Sequence, residues 1–193
     1  MDDVVAETER LTLRNWRPGD RDEFVRQLNT PAVMRWLGGV QDQAAYDVMV
    51  ERIGGYQRDF GHTLWIVERK ADGALLGFCG LKRVNSPGGE ALHGQFEIGW
   101  RLREDAWGQG YAREAAAASL DLAFGRFGAP HVVALTVEGN TASRGLMKRL
   151  GMSRRPDLDF TDTRFGEELN PSIVYRIEAQ DWPRVRAGLP LHG

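Results

Sequence analysis

The segment FEIGWRLREDAWGQGYAREAAAASLDLAFGRF, residues 96–127, combines a strand pattern, a glycine turn and a helix pattern. Apolar residues at every second position of Phe96–Leu102 predict a half-buried strand. The alanine-rich run Ala112–Phe127 has apolar residues on one helical face and predicts a helix that stops at Gly128. Glycines in the intervening Trp107–Ala112 let backbone N–H groups turn toward an anion, which the positive end of the helix dipole also attracts. The segment therefore predicts a phosphate cradle that needs no lysine.

Two common nucleotide-binding motifs do not fit this turn. A P-loop requires Gly-Lys-Ser/Thr, which is absent, and the dinucleotide fingerprint requires Gly or Ala where this chain has Arg113. The residues of this turn therefore exclude both a P-loop and the dinucleotide-binding fingerprint. Gly99 interrupts the preceding strand, and a glycine there is typical of a bulge or of close approach by a ligand or another backbone.

The remaining strand patterns predict a mixed α/β domain with the element order β-α-α-β-β-β-α-β-α-(β)-β. Further strands are predicted at Leu11–Leu13, Thr63–Arg69, Ala74–Val84, Val132–Val137 and Ser172–Ile177. Asp72-Gly73 between two of these runs predicts a hairpin. The uninterrupted apolar run Val132–Val137 predicts a central strand that is buried on both faces.

Three further helices are predicted from capping residues and apolar stripes. Asp20 can cap the first, because a glutamate follows three residues later and an apolar stripe comes after it. The second begins near Asp42, and we expect Gly54-Gly55 to break or kink it. The third is short and ends at Gly151.

The composition is that of one ordinary domain. The chain has 193 residues, 42% of them hydrophobic, and we expect a single domain over residues 8–183 with a C-terminal tail at 184–193. A net charge of -2 without a basic stripe argues against nucleic acid as a partner. The single Cys79, the absence of a signal-peptide pattern and the lack of an apolar run near ~18 residues favour a cytoplasmic protein without a membrane partner. No metal is expected, because the histidines lack metal-ligand spacing.

Phe96–Trp100 together with Trp107–Ala112 resemble the acetyl-CoA motif of the GNAT acyltransferases. The turn matches the family pattern Q/R-x-x-G-x-G/A, except that Trp107 stands at the first position. The sequence Trp-Gly-x-Gly-Tyr-Ala at this place is similar to that of the GNAT branch that acetylates the N-terminal alanine or serine of ribosomal proteins. Further segments match in the family's order and extend the resemblance from about Thr8 to Asp181: Thr8–Arg14, Leu76–Leu81 and Asn140–Met152.

The resemblance implies a GNAT fold, in which helices flank a central, mostly antiparallel, splayed sheet of six to seven strands. The splay would lie between Phe96–Leu102 and Val132–Val137, where the pantetheine arm of acetyl-CoA inserts as an added strand. The pyrophosphate would lie on the glycine turn, no metal is implied, and a homodimer is common among similar proteins. The residues expected to contact the co-substrate are Ile98, Gly99, Trp100, Arg101, Leu102, Trp107, Gly108, Gln109, Gly110, Tyr111, Ala112, Asn140 and Ser143.

The implied reaction is N-acetylation, in which an amine attacks the thioester of acetyl-CoA directly in a ternary complex. Glu97 is the best-placed carboxylate to deprotonate the amine through water, whereas pairing with a neighbouring arginine would make it structural. Ser143 matches the position of a hydroxyl that protonates the leaving thiolate, or it bonds backbone N–H groups in the first helical turn. Asn140 can cap that helix and contact the coenzyme at once. A backbone N–H near Ile98 or Gly99 would stabilise the oxyanion.

Two regions are candidates for binding the acceptor amine. Trp36 could line the acceptor slot or serve only for packing, and the acidic segment with Asp159 and Asp162 could attract a cationic amine or be a solvated loop. Three functions share the motifs: a protein N-terminal acetyltransferase, an acetyltransferase for a small amine or antibiotic, and a non-catalytic acyl-CoA-binding module. An open groove between the early helices and residues 155–171 would favour a peptide, and a closed pocket would favour a small molecule.

Overall fold

The computed structural model describes residues 3–190 and is built around one eight-stranded sheet. The strands are β1 (Val4–Glu7), β2 (Leu11–Arg14), β3 (Leu64–Arg69), β4 (Ala74–Arg83), β5 (Phe96–Leu102), β6 (His131–Val137), β7 (Ser153–Arg154) and β8 (Ser172–Glu178). Their order is β1-β2-β3-β4-β5-β6-β8-β7, and all neighbours are antiparallel except β5 with β6.

Six α-helices in the described part of the chain flank the sheet. They are α1 (Asp20–Leu28), α2 (Pro31–Met34), α3 (Gln43–Phe60), α4 (Tyr111–Asp121), α5 (Thr141–Arg149) and α6 (Trp182–Gly188). A π-helical turn, Leu122–Arg126, continues α4, so the helix expected at Ala112–Phe127 is present with a wider last turn. Between residues 3 and 190, no helix is long and apolar enough to span a bilayer.

The hairpin between β3 and β4 is confirmed. Arg69 pairs with Ala74, and the intervening turn ends at Gly73, whose φ of 69° lies in the left-handed region that favours glycine. The Gly73 N–H donates to the Arg69 carbonyl over 2.8 Å. The Asp72 carboxylate accepts hydrogen bonds from the Arg69 guanidinium and from the N–H of Ala74. The turn residues thus hold the two strand ends together.

The central parallel pair, β5 and β6, is splayed. Only Glu97 and Val133 are paired across it, whereas β4 pairs along all of β5 and β8 pairs along all of β6. The two strands therefore diverge and leave backbone groups between them without a strand partner. This geometry confirms the expected fold class, a mixed α/β domain with a mostly antiparallel, splayed sheet.

The two faces of the sheet carry different helices. α4, α5 and α6 cover one face, where Ala115–Ala118 are all buried and let α4 lie close to the strands. α1 and α3 cover the other face, where Phe24 and Tyr46 belong to a second apolar cluster. The core thus lies on both faces of the sheet, and the edges of β5 and β6 lie between the two layers.

Strand alternation divides the side chains of β5 between these faces. The α4 face receives Phe96, Ile98, Trp100 and Leu102. The opposite face, toward α1 and α3, therefore receives Glu97, Gly99 and Arg101. β4 and β5 stay in register through Gly99, so the structure has no bulge at this glycine.

Asp20 does not cap α1, contrary to the sequence pattern. The N-cap residue is Gly19, and no side chain caps the helix. The Asp20 carboxylate instead accepts two hydrogen bonds from the Arg14 guanidinium, at 2.7 and 3.0 Å, and one from the N–H of Arg17. Arg14 is only 4% exposed, and an unpaired guanidinium at such a place is costly, so the carboxylate is used for charge pairing.

Of the break or kink expected at Gly54-Gly55, the break is not found, because α3 continues through both residues. Each glycine costs a helix about 1 kcal/mol relative to alanine. Buried Ile53 and Tyr56 anchor α3 beside the two glycines, so packing outweighs helix propensity here.

Three elements of the fold are absent from the sequence expectations. β1 brings the strand number to eight, because it pairs with β2 although four residues are too few for a clear period. α2 is a single short helix capped by the side chain of Thr30. α6 contains the expected domain boundary at residue 183, and its Val185 packs on Gly151, where a Cβ would lie 2.6 Å from the valine Cγ2.

We expect Gly80→Ala to destabilise the protein. A Cβ at this position would lie 2.1 Å from the Thr63 carbonyl oxygen and 2.9 Å from Trp65 Cε3, so β3 or β4 would have to shift. Overpacking of this kind lowers the free energy of unfolding by about 1–3 kcal/mol, which urea denaturation followed by circular dichroism would measure. Gly125→Ala is the control, because a Cβ there meets no atom within 4 Å. Equal stabilities of the two variants would contradict the clash.

Candidate active site

A cavity of about 1200 Å³ opens where β5 and β6 diverge. Its turn side is lined by β5, the glycine turn, the end of β6 and α5, and its helix side by α2, α3 and the loop between β7 and β8. The residues expected at the site that line it are Trp36, Glu97, Ile98, Gly99, Trp100, Arg101, Leu102, Trp107, Gly108, Gly110, Tyr111, Ala112, Asn140, Ser143 and Asp162. Gln109 and Asp159 do not line it, and the Gln109 amide donates to the Asp105 carbonyl instead.

The glycine turn presents free backbone donors to the cavity. Gly108 and Gly110 have φ values of 71° and 82°, which favour glycine, and Gly110 is the N-cap of α4. Within the described chain, the N–H groups from Gly108 to Arg113 donate to no protein acceptor, whereas that of Glu114 donates to Gly110. A row of free N–H groups at the positive end of a helix is an anion-binding arrangement. The Trp107 indole donates to the Leu102 carbonyl over 2.8 Å and holds the turn against β5.

Arg10 and Glu114 brace the turn from outside the cavity. The Arg10 guanidinium donates to the Gln109 carbonyl over 3.0 Å, pairs with Glu114 over 2.7 Å and lies over the Tyr111 ring. Burial would raise the pKa of Glu114, but hydrogen bonds from Thr8 and Arg10 hold that pKa below its ordinary value. The sequence pattern placed Thr8–Arg14 in the family motif without indicating this role.

Glu97 faces the cavity from β5 and is 6% exposed. It lies opposite Lys82 in the register of β4 and β5, and the Lys82 ammonium contacts its Oε2 at 2.5 Å. The structural alternative for Glu97 named an arginine as partner, and the partner is a lysine. One carboxylate and one ammonium thus lie side by side in the wall of the cavity.

Asn140 and Ser143 lie together in the first turn of α5. Asn140 Oδ1 accepts a hydrogen bond from the Ser143 N–H over 3.2 Å, so Asn140 is the N-cap of the helix. The Ser143 hydroxyl lines the cavity and has no protein partner among the described residues. Backbone bonding by this hydroxyl, the structural alternative, is therefore not observed.

Asp159 and Asp162, the two acidic residues expected to bind the acceptor, are both ion-paired. Asp162 lines the cavity but is 2% exposed and pairs with Arg164. Burial would raise the pKa of Asp162, but hydrogen bonds from Arg164 lower it below its ordinary value. Asp159 pairs with Arg154 and accepts from the Val174 N–H, away from the cavity. These pairings offset the negative charge of Asp159 and Asp162, so these two residues attract a cationic amine less than free carboxylates would.

Trp36 and Phe165 close the helix side of the cavity. Trp36 packs on Gly139, where a Cβ would lie 2.8 Å from the indole Cη2, so it serves packing and lines the cavity at once. Phe165 lies beside Gly38, where a Cβ would be 3.5 Å from the Phe165 Cε1. The segment after α2 and the loop before β8 therefore lie close together, which the separation of these residues in the sequence does not reveal.

The chain is similar to known proteins in both sequence and structure. Residues 10–153 match the family model described as "Acetyltransferase (GNAT) domain". YkkB of Bacillus subtilis (strain 168), an uncharacterized protein, is 33% identical over 148 residues, which are 75% of this chain and 83% of YkkB. The crystal structure of an acetyltransferase from Agrobacterium tumefaciens str. C58 has a TM-score of 0.74 and 25% identity, with 90% of this chain and 93% of that chain covered.

A more distant likeness concerns the fold alone. The structure of a candidate ribosomal-protein-serine acetyltransferase from Vibrio cholerae has a TM-score of 0.67 and 18% identity, with 89% of this chain and 95% of that chain covered. The family model covers more than half of the chain, and both the splayed strand pair and the glycine turn lie inside the matched region. The chain therefore belongs to the GNAT acetyltransferase family, whose members use acetyl-CoA.

Proposed function

We propose that this protein transfers an acetyl group from acetyl-CoA to the amine of a small molecule, by direct attack in a ternary complex. The observation that carries the proposal is the row of free N–H groups from Gly108 to Arg113 beside the splayed strands. A pyrophosphate on this row would receive hydrogen bonds from the backbone and the favourable end of the α4 dipole.

The gap between β5 and β6 suits the pantetheine arm. Its amides would pair with the free backbone edge of Ile98–Leu102, as an added strand does. Asn140 and Ser143 would face the arm from the opposite wall of the cavity. The side chains of Trp100 and Arg101 point away from this edge, so their part in coenzyme binding would come from the backbone.

Glu97 and Ser143 are proposed to manage the protons of the reaction. Glu97 accepts a proton from the attacking amine, directly or through a water molecule, while the ion pair with Lys82 holds its carboxylate in place. The amine nitrogen then bonds to the thioester carbon, and a backbone N–H of Ile98 or Gly99 stabilises the oxyanion. When the carbon–sulfur bond breaks, the Ser143 hydroxyl donates a proton to the leaving thiolate. A module that only bound acyl-CoA would need neither side chain.

The proximity of Phe165 to Gly38 favours a small acceptor over a protein chain end. A peptide would need an open groove between α2 and the loop before β8, and the Phe165 ring narrows the space there. A protein N-terminal α-amine is the second candidate, because Trp107–Ala112 resembles the ribosomal-protein branch and the Vibrio cholerae protein bears that description.

Gly110→Val is expected to weaken CoA binding by about tenfold to a hundredfold, because a branched side chain at a φ of 82° would displace the free N–H groups of the turn. Titration calorimetry with CoA measures the change. Gly128→Val is the matched control, since Gly128 also has a positive φ, of 60°, but lies at the far end of the α4 region. An unchanged affinity of the Gly110 variant, with the fold intact, would place the pyrophosphate elsewhere.

Ser143→Ala is expected to lower kcat by about 10²–10⁴-fold and to leave the affinity for acetyl-CoA nearly unchanged, since it removes a proton donor. Free thiol release under saturating acetyl-CoA is the readout. Thr141→Ala, in the same helical turn but exposed and outside the cavity lining, controls for effects on α5. Should both variants keep wild-type turnover, Ser143 would have no role in catalysis.

A further inference from the structure

Arg101 is a cation without a counter-ion on the helix side of the cavity. It forms no ion pair with any described carboxylate, and its Nε is shielded from solvent without a hydrogen-bond partner. Its Nη1 reaches the Met49 sulfur only at 3.9 Å, and the Tyr46 hydroxyl is the one oxygen of the described residues that interacts with the guanidinium. The guanidinium lies over the rings of Phe78 and Phe24, 5.2 and 5.8 Å from their centroids. Burial lowers the pKa of Arg101 from its ordinary value, which reflects the cost of keeping this charge out of water.

Two other shielded guanidinium groups are compensated by carboxylates, whereas Arg83 stacks on Phe96 outside the cavity lining. Arg14, the arginine with 4% exposure, pairs with both Asp20 and Glu68. Arg164, in the cavity wall, pairs with Asp162. A shielded guanidinium is therefore matched by carboxylates in these places, and Arg101 differs because it has a neutral hydroxyl beside it and no carboxylate among the described residues.

The whole helix side of the cavity has an excess of positive charge. Its two carboxylates, Glu97 and Asp162, are already paired with Lys82 and Arg164. Arg35 and Arg52 also line the cavity and form no ion pair within residues 3–190, although Arg35 stacks on Trp36. The uncompensated charges there are cationic, so this half of the cavity is suited to an anionic group.

The floor of the cavity separates Arg101 from the reaction centre by an apolar stretch. Glu97 and Arg101 are four residues apart on one face of β5, a distance of about 13 Å between Cα atoms, and Gly99 between them has no side chain to divide the space. The neighbouring walls are apolar and come from Met49, Ile53, Tyr56, Leu64 and Phe78. A molecule that fits has an amine near Glu97, an apolar middle and an anionic group near Arg101.

We propose that the acceptor is an amine that also carries a carboxylate, and that Arg101 binds this carboxylate through its guanidinium fork. The inference rests on the proposed N-acetyltransferase function and names the substrate class of the same cavity. The planar guanidinium can donate two parallel hydrogen bonds to a carboxylate, which a neutral amide cannot accept in the same way. A buried donor that loses its partner is also left unpaired, which strengthens discrimination against the amide.

The test compares amino acids with their own carboxamides as acceptors. Glycine, γ-aminobutyrate, ε-aminocaproate, leucine and phenylalanine, each beside its carboxamide, are assayed by thiol release from acetyl-CoA. For the best acid we expect kcat/KM to exceed that of its carboxamide by about tenfold to a hundredfold. Arg101→Met should raise the KM for the acid and bring this ratio close to one, with little change in the KM for acetyl-CoA.

Two further variants separate charge, geometry and folding. Arg101→Lys keeps a cation but loses the fork, so its ratio should fall between those of the wild type and Arg101→Met. Arg126→Met removes the same charge from an exposed residue outside the cavity lining and should keep the wild-type ratio. If Arg101→Met does not fold by circular dichroism, the wild-type ratio and Arg101→Lys still decide the question. A wild-type enzyme that acetylates acids and carboxamides equally well would overturn the inference and leave the proposed function intact.

A binding experiment can support the carboxylate site even if the proposed N-acetyl transfer is wrong. Calorimetric titration of each acid into the protein saturated with desulfo-CoA should show binding to the wild type and loss of that binding in Arg101→Met. Such binding without thiol release from any amine would support the carboxylate site and refute N-acetyl transfer. If no acid binds and no amine is acetylated, both hypotheses are refuted.

Discussion

The divergence of β5 from β6 is the constraint on which the rest of the molecule depends. The strands share one pairing, Glu97 with Val133, although their outer edges are fully paired with β4 and β8. Backbone groups in such a gap need partners, and a peptide-like chain is the partner that a strand edge accepts best. The same divergence opens space on both sides of the sheet, so that α5 on one side and α3 on the other border a single cavity.

Charge pairing fixes the position of the parts around this gap. Arg10 and Glu114 attach the start of α4 to the segment before β2, and Arg14 with Asp20 attaches α1 to the sheet. In both cases a carboxylate accepts several hydrogen bonds, including one from a backbone N–H. Pairs with such geometry order the surrounding chain even where desolvation offsets their net contribution to stability. The helix side of the cavity lacks this pairing at Arg101, which is why that residue stands out.

The sequence best predicts the structural features that depend on residues close together along the chain. β5, the Asp72-Gly73 hairpin and the glycine turn follow from alternation and from positions that need a positive φ. The cap predicted at Asp20 is wrong, because this carboxylate pairs with Arg14. The break considered at Gly54-Gly55 does not occur, because buried Ile53 and Tyr56 anchor α3 against the sheet, and the local pattern does not contain that packing. Glu97 and Ser143 line the cavity, where the motif leads one to expect them, and their catalytic roles remain proposals. The ion pair that occupies Asp159 and the proximity of Phe165 to Gly38 depend on tertiary structure that no local pattern contains.

The buried alanine face of α4 determines how close the helix, and the glycine turn at its start, lie to the sheet. Ala115–Ala118 are all buried, and Ala115 and Ala116 have no exposed surface, so methyl groups set the spacing between this helix and the strands. An α-helix is stiff over so short a length, and its first turn moves with its middle. The fit between the turn and the pyrophosphate that we propose it binds would therefore depend on side-chain volumes one or two helical turns away. Natural variation at these alanines would act as a fine adjustment of coenzyme affinity without altering any residue that touches the coenzyme.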